Sequence, residues 1–268
     1  MKPFGVCIAA LCCLAAAQAQ TPVVSDGGVA NSASFERGGG VAPGSMVSIF
    51  GTSLASGLAR LDTVPLSAAI GDVSVTFNGI AAPLQFVSEN IIGAQVPWDV
   101  LPDPTVSGTA SVVVTRAGTQ SPAVTIPILP TAPAIYRVHP WTTQAMALNA
   151  DGSLTAAAGS IEGFQSHPAT VGDAILVYAN GFGAVTPAIA SGANSLDVTR
   201  IAQTAPVVLI QGQPANVTFA GLSPKVPGLN LLNVIVPAGI TSSDAAPIQI
   251  QFGSSTTTAQ ITIAVRTP

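Results

Sequence analysis

The sequence predicts an all-β protein built from two tandem β-sandwich domains joined by an ordered arm. Three observations carry this. Apolar and polar residues alternate with period two through most of the chain, Gly and Pro punctuate it at short intervals, and it repeats itself with a spacing of about 130 residues, far above solenoid periods.

The first nineteen residues are expected to be a signal peptide rather than part of the fold. Lys2 supplies a positive start, Phe4 to Ala16 is an apolar run too short for a permanent anchor, and Ala17-Gln18-Ala19 has the small-x-small pattern of a cleavage site. Cys7, Cys12 and Cys13 all fall in this segment, and none is preceded by the residues a lipoprotein signal needs. From Gln20 onward there is no thiol, so disulfides, thiolate metal sites and cysteine nucleophiles are excluded from that stretch. Its apolar core must hold it together.

Charge is scarce. Only 7% of residues are charged, against about a quarter in an ordinary domain. Without Lys2, 7 basic residues face 12 acidic ones, a net charge of −5. Lys225 is then the sole lysine and the arginines are scattered, which leaves no electrostatic footprint for nucleic acid. No later apolar run is long enough for a transmembrane helix, so stable membrane insertion is not expected. The expected location is secreted, periplasmic or cell-surface.

The strands read in order. Val73-Ser74-Val75-Thr76-Phe77 alternates cleanly into Asn78-Gly79, a strong hairpin signal. Val112 to Thr115 turns at Gly118 and returns as Val124 to Ile128, while Ile248 to Phe252 turns at Gly253 and returns as Ile261 to Val265. Leu66 to Ile70 and Thr155 to Gly159 are open to a helical reading but too short for more than a turn.

The repeat pairs Pro43 to Gly51 with Val171 to Gly181. It then pairs the turns Asn78-Gly79 and Gln211-Gly212, and the strands ending at Val96-Pro97 and Val236-Pro237. Proline removes a ladder donor, so each of those strands must end there or lie at an edge. The predicted division is 20–135 for the first sandwich, 136–170 for the arm and 171–268 for the second.

These residues carry a family resemblance. Gly27 to Phe35, Ala42 to Ala55, Ala147 to Ser153, Val177 to Gly183, Ala220 to Pro224, Gly228 to Asn230 and Asn233 to Pro237 resemble, in order, the uncharacterised C-terminal domain family abundant in Solibacter and other acidobacteria. Two departures lie in loops: Gly159 to His167 is longer than the usual spacer, and Lys225-Val226 replaces a glycine-containing turn. Each half also resembles the IPT/TIG immunoglobulin-like domains. The resemblance implies tandem immunoglobulin-like sandwiches in a secreted or surface context, with no assigned activity and no known functional residues.

Candidate chemistry is sparse. Neither Gly-x-Ser-x-Gly, His-Glu-x-x-His nor a P-loop occurs. His139 and His167, each followed by proline, are the only histidines, and no catalytic residue is assigned. Glu89 and Asp99 are the sort of acids a glycosidase pair would need, but nothing distinguishes them from solvated loop acids. Asn149-Ala150-Asp151-Gly152-Ser153 is a fragment of a calcium loop without its glutamate, and an Asx turn explains it without an ion. Asp99 and Asp103 offer even less for an interdomain calcium site. No metal or cofactor is expected, and Asn216-Val217-Thr218 reads as strand rather than as a glycosylation site.

The aromatic residues are few, and they are the candidate ligand-binding set: Trp98, just after a Val-Pro strand end, and Tyr136, His139 and Trp141 in the arm. Flat side chains near loop ends suit sugar stacking. The competing expectation is packing, with Tyr136 and Trp141 pinning the arm and Trp98 capping a core. The function expected overall is a non-catalytic exported module for adhesion, surface or matrix assembly, or protein–protein interaction, with a cell-surface protein or polysaccharide as partner. A carbohydrate-binding domain using these aromatics is the second reading, and a hydrolase with an interdomain site the third.

Overall fold

The computed structural model describes residues 20–257 and 260–268. The expected signal segment, 1–19, lies outside the described residues. Among those described there is no α-helix. The first sandwich uses seven main strands: β1 (Val23–Asn31), β2 (Met46–Thr52), β3 (Val73–Phe77), β4 (Leu84–Val87), β5 (Ile91–Gln95), β6 (Gly108–Arg116) and β7 (Val124–Ile128). One sheet runs β1-β2-β5-β4 and the other β7-β6-β3. Lettered A to G in chain order, these are the ABED and CFG sheets of an immunoglobulin constant-type sandwich.

The second sandwich follows the same plan. Its A-strand positions are β8 (Ala134–Ile135) and β9 (Ala147–Leu148), both paired with β11 (Ala174–Asn180); β10 (Ala169–Thr170) lies between them and β11 in the chain. Then come β12 (Val207–Ile210), β13 (Gln213–Leu222), β14 (Asn230–Ile235), β15 (Ser243–Phe252) and β16 (Ile261–Arg266). β11, β14 and β13 form one sheet, and β16, β15 and β12 the other. β13 belongs to both, because Gln213 to Ala215 pair with β12 and Asn216 to Leu222 with β14. In the first sandwich the same crossing is made in two pieces, Ile80–Ala81 on β3 and then β4 on β5.

The sequence repeat marks a shared local geometry. Before its B strand each half lies parallel to its last strand, Val41 against Ile128 and β10 against β16. Each then turns through a glycine with positive φ, Gly44 at 75° and Gly172 at 93°. The hairpin signals are also realised. Asn78 and Gly79 have φ of 50° and 80°, and Gln211 and Gly212 have 49° and 75°, the paired positive values of a type I′ turn.

Two apolar cores result. Alternation along β3 places Val73, Val75 and Phe77 inward with Ile49, Leu84, Ile92 and Ile128. In the second, Ile175 and Val177 of β11 meet Ile210, Leu232, Val234 and Ile248. Full burial of such a side chain contributes about 1.5–3 kcal/mol, which suits a fold held without disulfides.

The arm is ordered and packs on the second sandwich. Tyr136 N–H donates to Tyr178 O (3.0 Å), Ala145 N–H to Thr262 O (2.9 Å) and Ala264 N–H to Thr155 O (2.8 Å), so it covers the free side of both β11 and β16. An otherwise open sheet edge is thereby closed.

Candidate functional site at the domain junction

Three neutral amides are buried where the sandwiches meet. Asn180, at the end of β11, is wholly buried. Its Oδ1 accepts from Met46 N–H (3.0 Å), and its Nδ2 donates to Met46 O (2.7 Å) and to Asn31 Oδ1 (2.8 Å). The side chain thus pairs with β2 much as a neighbouring backbone would. Asn31, at the end of β1, donates from Nδ2 to Ala132 O (2.9 Å) in the connection between domains. Gln95, at the end of β5, donates to Gly44 O (3.0 Å) and accepts from Gly192 N–H of the second sandwich (2.6 Å). Burying a polar group costs free energy unless it is paired, and here the pairs cross the junction.

The segment Asn180-Gly181-Phe182-Gly183 is explained by this junction. Gly181 has φ 83°, and a Cβ there would stand 1.9 Å from Ala132 O; at Gly183, with φ 71°, it would stand 1.9 Å from Pro130 O. Only glycine lets the connecting segment lie this close. Phe182 is buried beside Phe252, ring centroids 5.0 Å apart, and anchors the turn in the second core.

Trp98 does not cap the first core as the packing expectation had it. Its backbone N–H donates to Ser191 Oγ across the junction (3.0 Å), and its ring lies on Gly44, where a Cβ would come within 2.0 Å of it. Its Nε1 is buried without a hydrogen-bond partner, so packing alone holds the ring. The ring forms part of a cleft of about 310 Å³ between the 98–104 loop and the 184–189 segment, with Leu101, Pro104, Val185 and Ile189 among its walls.

The arm aromatics separate into two environments. Tyr136 is half-buried in a groove with Phe35, Phe86 and Met46 of the first sandwich and Leu229 of the second, and burial raises its phenol pKa. Trp141 does the opposite of pinning the arm. It is 82% exposed at a loop tip, stacked on His139 with centroids 5.2 Å apart and planes 5° apart. The loop closes beneath it through Arg137 Nη1 to Pro140 O (3.0 Å) and Thr142 N–H to His139 O (3.1 Å), which turns the indole outward.

His167 lies against the Asx turn of Asp151. Asp151 Oδ1 accepts from Ser153 N–H (3.0 Å) and Oγ (2.7 Å), and its Oδ2 meets His167 Nε2 at 3.2 Å. His167 Nδ1 faces Pro168 O at 2.9 Å. Those Ser153 bonds, with His167 third, hold the Asp151 carboxyl at about 2. The Pro168 carbonyl, then Asp151, push the His167 imidazole upward. Nδ1 also lies 3.4 Å from Asn149 Nδ2, so the ring is held by groups on both sides. The serine, moreover, sits on the carboxylate instead of the imidazole, the wrong order for a nucleophile–base–acid relay.

No cluster of three or more His, Asp or Glu able to hold a metal occurs among the described residues. Asp103 accepts from Thr105 N–H (2.8 Å) and Oγ1 (2.6 Å), as an ordinary turn acid does. Sequence reasoning missed Asn31, Gln95 and Asn180. Their signal is a polar amide closing an apolar strand, as in Ile91-Ile92-Gly93-Ala94-Gln95 and Ile175 to Asn180.

Strand order and junction define a tandem immunoglobulin-like protein. No family model matches the chain, and no curated protein matches it. Solved structures similar to it include a titin tandem crystal structure, at 12% identity and TM-score 0.22, covering 93% of this chain and 67% of that one. Titin Ig tandem domains match at 9% identity and TM-score 0.22, covering 85% and 91%. Domains 5–6 of the S-layer protein SbsC match at 9% identity and TM-score 0.27, covering 92% and 99%. The immunoglobulin-like assignment rests on the strand order itself.

Proposed function

We propose that the chain is a non-catalytic, exported two-domain module that holds a fixed geometry for surface or matrix assembly and protein–protein contact. The observation that carries this is the junction, where Asn180, Asn31 and Gln95 join the sandwiches through buried hydrogen bonds. The resemblance to the acidobacterial C-terminal domain family belongs to the same reading, supported by the segments that build this junction, Gly27 to Phe35 and Val177 to Gly183. Size-exclusion chromatography and pull-down of the purified chain on cells, wall fractions and polysaccharide test it. Retention on at least one surface fraction is expected; an inert monomer that binds none would overturn it.

A carbohydrate-binding reading is favoured by one observation, the displayed Trp141 backed by His139. One face of the indole is supported and the other is open for stacking on a sugar ring. Glycan-array screening of wild type against Trp141→Ala and Trp98→Ala decides it. Loss of signal in Trp141→Ala supports sugar binding, and a blank array, or binding unchanged in both variants, removes it.

A further inference from the structure

The cleft at Trp98 has the composition of a recognition site. It lies between the domains, measures about 310 Å³ and is walled by Trp98, Leu101, Pro104, Val185 and Ile189. Concave, apolar, interdomain pockets with few polar groups are where ligands are usually held. Asp99 is the single charged residue in the wall, and it is exposed. Gln203 donates one Nε2 hydrogen to Val185 O (3.3 Å), which leaves its amide oxygen as an acceptor and its second N–H as a donor. Trp98 Nε1, the indole donor, is sealed in the wall. The cleft therefore offers ring, hydrocarbon and one side-chain amide, with the Asp99 charge at hand.

We propose that this cleft binds a cationic side chain, an arginine or lysine flanked by apolar residues, presented by a partner protein. The charge is complementary to Asp99, a guanidinium or ammonium is attracted to an indole face, and apolar flanks match the walls. An acidic ligand would instead meet the like charge of Asp99. The cleft also needs no rearrangement of its Trp98 wall, because the ring is fixed on Gly44 and its backbone is tied to Ser191. The inference names the partner chemistry for the interaction-module reading and rests on it.

The chain has two tryptophans, and Trp141 is exposed, so Trp141→Phe leaves Trp98 as the only indole reporter. In that background, Trp98 emission is titrated with three capped tripeptides, Leu-Arg-Leu, Leu-Gln-Leu and Leu-Glu-Leu. A saturable change with the arginine peptide is expected at a dissociation constant of about 1 mM or tighter. Binding about fivefold weaker is expected for the glutamine peptide, and weaker still for the glutamate one. Asp99→Asn, at an exposed position, should remove most of the preference for arginine over glutamine while leaving thermal unfolding unchanged. Equal binding of all three peptides, no saturable response, or a preference untouched by Asp99→Asn would each overturn the proposal. Surface pull-down reads the module function separately, so retention there with a silent cleft would sink only this inference.

Discussion

The junction and the tip of the arm treat rare residues in opposite ways. At the junction, polar amides are buried and every one is paired; at the tip, a large apolar ring is exposed and paired only with His139. Both invert the usual partition of polar out and apolar in. The difference shows that burial in this chain follows hydrogen-bond supply as much as hydropathy. Asn180 can be buried because Met46 and Asn31 answer it, and Trp141 is displayed because its loop closes on itself below the ring.

Substitutions can break this contrast, and the largest effect belongs to the connecting segment. Gly181→Ala would force φ 83° on an alanine and drive its Cβ into Ala132 O. A loss of about 4 kcal/mol is expected in denaturant unfolding. Asn180→Ala comes next. Met46 O keeps a donor in Ser32 N–H (3.1 Å), but Met46 N–H is left buried and unanswered. A cost of about 2–3 kcal/mol is expected, together with a broader interdomain distribution in small-angle scattering.

Trp98→Phe keeps a ring on Gly44 and removes the partnerless Nε1–H. Its stability should stay within about 1 kcal/mol of wild type in the same unfolding measurement, because the lost orphan donor offsets the lost area. Trp141→Ala should be smaller still, within about 0.5 kcal/mol, since the ring is 82% exposed. A larger loss would mean that the indole packs on more than His139.

The Asp151–His167 pair gives the smallest effect and the one pH dependence. His167 is raised in the folded state, so its contribution is complete below the ordinary imidazole value and fades as pH rises through the folded value. Asp151 is lowered to about 2, so its contribution holds above the ordinary carboxylate value and is lost as pH falls through about 2. In NMR titration the His167 ring should show a midpoint above the ordinary imidazole value, and Asp151→Asn should lower it. Solvent exposure of both side chains keeps the matching change in melting temperature small.

Local features of the fold were legible in the sequence because they depend on neighbours in the chain. Val73 to Phe77 alternates in burial as it alternates in polarity, and Asn78-Gly79 adopts the I′ turn its residues favour. Val96-Pro97 follows directly on the end of β5. The junction was not legible. Asn180 and Asn31 stand 149 residues apart, and each alone reads as a polar residue at a strand end. For Trp141 the sequence misled, since the average tendency of large aromatics to be buried carries no information about which way a hairpin loop turns its tip. Trp98 was placed near the right loop but against the wrong surface, because the packing partner Gly44 has no side chain to announce it.

The amides that fix the junction also set which solution conditions can disturb it. Asn31, Gln95 and Asn180 do not titrate and carry no charge for counterions to screen, whereas the ion pairs Arg60–Asp62, Arg266–Asp244 and His167–Asp151 are solvent-exposed. A rise in ionic strength or a swing in acidity weakens those outer pairs and dilution into fresh water strengthens them, while the angle between the domains is expected to stay as it was. Scattering profiles that superimpose between low and high salt are the direct expectation. A hinge without charge is expected to hold its angle in an unbuffered medium as well.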